Sequence, residues 1–98
     1  MDKQINAAIQ LLPIGVAESK LAVIDKAIAL IKSSGLKHLV CPFETVVEGS
    51  PERIFKLIND IRIQCLADGC PELLINIKIH AANRDLSFDE KLEKYPAV

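Results

Sequence analysis

The chain has no tryptophan, one tyrosine and three phenylalanines. That is too little aromatic surface for a base-stacking platform on single-stranded nucleic acid. Neither sign of charge prevails, and the formal net charge is −1. No basic field therefore exists to hold a phosphate backbone or an anionic membrane. No CxxC pair occurs among Cys41, Cys65 and Cys70. An odd number of unpaired cysteines fits reduced thiols in a cytoplasmic protein, each read as a small buried apolar side chain. No GxGxxG or GxxxxGK[ST] is present, which argues against the usual nucleotide loops. No apolar run reaches the length of a membrane span, and the N-terminal stretch MDKQINAAIQLLPIGVA lacks the basic start of a signal peptide. Nucleic acid and membrane are thus not expected partners.

What remains is a chain of 98 residues, half of them apolar and a quarter charged. This suits one globular domain over 1–98. Residues 4–12, QINAAIQLL, alternate as a strand. Ile5, Ala7, Ile9 and Leu11 fall on one face, and Asn6, Ala8, Gln10 and Leu12 on a mixed face. Pro13 and Gly15 are expected to end it. Residues 19–33 follow helical spacing, with Leu21, Ile24, Ala27, Ile28 and Ile31 as the stripe, Ser19 as N-cap and Gly35 as the stop. KHLVC and ETVVEG read as two strands pivoting at Pro42 and Phe43. Ser50 and Pro51 then open a second helix, with Ile54, Leu57, Ile58, Ile61 and Cys65 on its apolar face. It stops at Gly69. ELLINIKIH, residues 72–80, is the clearest strand, with Leu73, Ile75, Ile77 and Ile79 set against Leu74, Asn76, Lys78 and His80. SFDE at 87–90 is a capping box for a short helix through FDEKLEKY.

The order β-α-β-β-α-β predicts an α+β, ferredoxin-like sandwich: a four-stranded antiparallel sheet, two helices on one face and a short C-terminal helix. The second sheet face would carry Ala8, Gln10, Leu12, Leu74, Asn76, Lys78 and His80. Such a mixture, poor in charge, predicts contact with a second copy of the chain.

No catalytic constellation is evident, and the chain does not read as an enzyme. A copper chaperone of this topology would need a CxxC in the first loop, which here reads PIGVAES. Gly15 alone stands where regulatory amino-acid-binding modules of this topology often carry a glycine-rich turn. Glu44, Thr45 and Glu48 form the set that folding does not explain. A carboxylate at a sheet rim could answer a ligand amine or cation. Gln10, Asn76 and His80 could add donors and acceptors from neighbouring strands. The alternative is that both glutamates are rim charges on an oligomeric interaction or regulatory domain.

At these residues the chain resembles the small, YkoF-like thiamine-binding proteins. The resemblance rests on INAAIQLLPIG, SGLKHLVCPFETVVEG, INIKIH and SFDEKLEKY, and it spans residues 4–95. Its most specific piece is Pro-x-x-Thr-Val-x-Glu-Gly, matched by Pro42, Thr45, Val46, Glu48 and Gly49. It implies a ferredoxin-like fold, assembly into dimers or tetramers, and non-catalytic binding of thiamine or its hydroxymethylpyrimidine moiety as ligand, with no other cofactor. Thr45 and Glu48 match the family motif directly. Glu44, Gln10, Asn76 and His80 join them from strand geometry. Phe43 is the one aromatic near them.

Overall fold

The computed structural model describes residues 3–17 and 19–95. The elements are β1 (Ile5–Ile14), α1 (Lys20–Ser33), β2 (Lys37–Val40), β3 (Thr45–Gly49), α2 (Pro51–Ala67), β4 (Glu72–His80) and α3 (Phe88–Leu92). The sheet has the order β2-β3-β1-β4, antiparallel throughout. This is the ferredoxin-like arrangement that the sequence predicts. No helix among the described residues is long and apolar enough to cross a membrane.

The core lies between the sheet and the two long helices. Ile5, Ala7, Ile9 and Val47 face Val23, Ala27 and Ile31 of α1 and Ile54, Leu57, Ile61 and Cys65 of α2. Each large apolar side chain buried there contributes about 1.5–3 kcal/mol. α2 buries the face its spacing predicts. Ser50 caps it by accepting the Arg53 N–H at 3.3 Å, and Pro51 takes the first helical position, where it has no hydrogen bond to lose. Gly35 (φ 75°) and Gly69 (φ 88°) stop the two helices in the left-handed region.

Two element ends and the inward face of α1 differ from the sequence reading. β1 does not end before Pro13 but runs through it to Ile14, paired with β4 as Pro13↔Leu73 and Ile14↔Glu72. Pairing with β3 stops at Ile9↔Thr45, so beyond Ile9 β1 is an edge on that side, where a proline can be held. α1 buries Ala27 and Ile31 of the expected stripe and half-buries Ile24 and Ile28, but rotates Val23 inward in place of Leu21. Val23 is buried, whereas Leu21 is 69 % exposed. The helix is apolar around much of its girth, and packing on the sheet selects Val23, Ala27 and Ile31. Ser19 stands at the N-cap without a side-chain cap bond. α3 ends at Leu92 rather than Tyr95, and a turn bond from the Tyr95 N–H to the Leu92 carbonyl (2.8 Å) closes it.

The inward face of α1 is open to a direct test. Val23→Asp would bury an unpaired charge and should cost several kcal/mol, whereas Leu21→Asp should stay within about 0.5 kcal/mol of the parent. Urea unfolding of both variants measures this. Equal losses would return Leu21 to the core.

Candidate functional site

The register fixes which side chains stand on the face away from α1 and α2. Asn6 pairs with Glu48 on β3 and with His80 on β4. Ala8 pairs with Val46 and Lys78, and Gln10 with Asn76. On the outer strand Lys37 stands opposite Glu48 and Leu39 opposite Val46. Glu48 therefore belongs to the open face, and Thr45, beside Ile9, to the opposite one.

The segment after β4 folds back over one end of this face. The Gln4 amide donates to the Leu86 carbonyl at 2.6 Å, and the Leu86 N–H donates to the Gln4 carbonyl at 3.1 Å. Leu86 itself is buried. Ser87 caps α3 by accepting the Glu90 N–H at 3.1 Å, as the SFDE pattern predicts, while the Glu90 carboxylate turns to Arg84 at 2.7 Å. The Phe88 N–H donates to Glu48 Oε1 at 2.6 Å. Lys37 lies 4.0 Å from the other Glu48 oxygen and 3.1 Å from Asp89. Its ammonium also sits 6.0 Å from the centre of the Phe88 ring. Glu48, only 9 % exposed, is thus the sheet's anchor for α3. Folding explains this carboxylate after all, through a contact forty residues along the chain.

Between α3 and the sheet lies a cavity of about 390 Å³. Asn6, Ala8, Val46 and Leu39 line its sheet side, with Lys78 and His80 from β4, and Phe88, Lys91 and Leu92 line its α3 side. Its walls are mainly apolar. Of its polar lining residues, Lys78, His80 and Lys91 are exposed and Asn6 is buried. It is 5 % exposed, and neither its amide nitrogen nor its amide oxygen has a hydrogen-bond partner among the described residues. A buried, unpaired amide costs about 1–3 kcal/mol, so a stable fold rarely keeps one without another use for it.

The six residues to which the sequence points do not converge on one place. His80 lines this cavity, and Glu48 holds its roof. Gln10, Glu44 and Thr45 line a second cavity of about 180 Å³, where β1 runs past the end of β3, together with Leu21, Ile24 and Phe43. Asn76 donates to Gln10 at 3.2 Å, and Lys78 reaches Glu44 at 3.6 Å. Asn6 is not among the six. Its strand position is legible as the mixed face, but its burial depends on the docking of α3. All three cysteines are free thiols. Cys41 also lines the larger cavity. Burial, with Cys70 close by, pushes the Cys65 thiol up and leaves it inert.

Known proteins share this architecture. A UPF0045 protein of Clostridium perfringens is 33 % identical over 91 residues, covering 92 % of this chain and 95 % of its own. A Bacillus cereus domain of unknown function superimposes with a TM-score of 0.92 at 28 % identity, over 98 % of this chain and 93 % of that one. A Thermotoga maritima protein, provisionally assigned to thiamine biosynthesis or salvage, superimposes with a TM-score of 0.87 at 26 % identity, over 95 % and 99 %. The sequence model of the thiamine-binding proteins matches residues 7–96, and the chain belongs to that family.

Proposed function

We propose that this protein binds thiamine or its hydroxymethylpyrimidine moiety, without transforming it, in the cavity between α3 and the open sheet face. The observation that carries this reading is the unpaired Asn6 amide in a chain of the thiamine-binding family. The edge of an aminopyrimidine offers an amino donor beside a ring-nitrogen acceptor. An asparagine amide is its complement, the same two-bond match by which asparagine reads adenine. Val46, Leu39, Phe88 and Leu92 supply apolar surface for the ring faces. Both amide atoms are closed to solvent, so the ligand reaches them by displacing part of the α3 roof. Glu48 acts by positioning that roof. His80 stands beside Asn6 as a second polar contact. Thr45, Glu44, Gln10 and Asn76 serve the neighbouring rim.

A binder rather than an enzyme is favoured because no base is paired with a nucleophile among the described residues, and His38, whose Nδ1 lies 2.9 Å from the Leu36 carbonyl, does not line the cavity. Cys41 donates to the Leu39 carbonyl at 3.7 Å, and no carboxylate among the described residues bonds to His80. We also propose that the chain works as a homo-oligomer in the cytoplasm. Leu12, Leu39 and Leu74 are exposed on the open face, which supports contact with a second copy, and the free thiols support a reducing compartment.

Calorimetric titration with thiamine and with hydroxymethylpyrimidine tests the site. Both should bind the parent protein, Asn6→Ala should weaken binding by about tenfold or more, and Thr45→Ala should leave it unchanged. No heat with either compound at millimolar concentration would remove the reading. The role of Glu48 is tested by hydrogen exchange. In Glu48→Ala the amides of residues 86–92 should lose protection while those of β1 and α2 keep it. Glu48→Gln, which retains an acceptor oxygen, should preserve most of the protection. Unchanged exchange in Glu48→Ala would show that something else holds α3.

A further inference from the structure

We infer that the cavity under α3 takes an aminopyrimidine carrying an anionic group, a phosphate monoester above all, in preference to one carrying a cation. This rests on the binding site proposed above and concerns what hangs from the ring. Three of the lining residues, Lys78, Lys91 and His80, are bases, and no carboxylate among the described residues lines the cavity.

Each carboxylate nearby already has a partner. Glu48 accepts the Phe88 N–H at 2.6 Å and lies 4.0 Å from Lys37. Asp89 holds Lys37 at 3.1 Å, Glu90 holds Arg84 at 2.7 Å, and Glu44 lies 3.6 Å from Lys78. Lys91 forms no ion pair among the described residues. A ligand cation would therefore meet two ammonium groups and find no free counter-charge. A phosphate would meet the Lys91 ammonium and a ring N–H of His80, and could draw Lys78 from its exposed pairing with Glu44. That pairing is weak, because Lys78 is 81 % exposed along its side chain. In the β1–β4 register His80 stands beside Asn6 and Lys78 beside Ala8, so these two bases flank the floor on which the ring would lie.

The test is calorimetric titration of the parent protein with hydroxymethylpyrimidine, its phosphate monoester, thiamine and inorganic phosphate. The monoester should bind about tenfold or more tighter than the alcohol at low salt. That advantage should shrink as salt rises. In Lys91→Ala, at an exposed position, the ratio of monoester to alcohol affinity should fall. Asn6→Ala should weaken the alcohol and the monoester alike. Equal binding of alcohol and monoester would overturn the inference and leave the site standing. Binding of the monoester that survives Asn6→Ala, or inorganic phosphate binding as tightly as the monoester, would overturn both the anion inference as framed and the site. Failure of every compound to bind would do the same.

Discussion

The structure depends on the position of β1, gripped on one side by β3 and on the other by β4. Because both pairings are antiparallel and in fixed register, a slip of one residue would exchange the two faces of the strand. Ile5, Ala7 and Ile9 would leave the core, and Asn6 would enter it. The apolar face therefore locks the polar one. Glu48, Asn6 and His80 come into line across three strands because Ile5, Ala7 and Ile9 must sit against the helices. The proposed site takes its geometry from the register that the core sets.

A second constraint follows from the ferredoxin-like layering. Two helices cover one face of a four-stranded sheet, and the other face must be met by something. Here part of the answer is the chain's own C-terminal segment. It is tied down at Gln4 by paired bonds through Leu86 and at Glu48 by the start of α3. The cavity exists because this cover is short. α3 has five residues, enough to roof Asn6 and too few to fill the space over Ala8, Val46 and Leu39. The mixed character of the face, puzzling as a plain solvent surface, is what the floor of the proposed site would require.

Much of this architecture is legible in the sequence. The two strand–helix–strand halves follow from periodicities of two and 3.6, from Gly35 and Gly69, and from Ser50 with Pro51. The SFDE cap is legible because its bonds are local. The features that sequence reasoning misses share a physical cause, which is dependence on distant partners. Pro13 stays in its strand because β3 has already ended beside it. α1 carries two overlapping apolar stripes, and only the sheet decides between Val23 and Leu21. Glu48 looks unexplained in the sequence because its partner is Phe88. Asn6 reads as an ordinary half-exposed strand residue because nothing local predicts the roof above it. Thr45 groups with Glu48 by its place in the motif, yet strand alternation puts the two on opposite faces.

The central claim is that Asn6 is kept for a ligand and at the expense of the fold. Thermal unfolding of Asn6→Leu, with and without hydroxymethylpyrimidine, tests it most directly. A leucine of similar size removes the unpaired amide, so the ligand-free variant should be more stable than the parent by about 1 kcal/mol or more, and the stabilisation that the ligand gives the parent should vanish. A less stable variant that the ligand still stabilises as it does the parent would show that Asn6 serves the fold and that the site lies elsewhere.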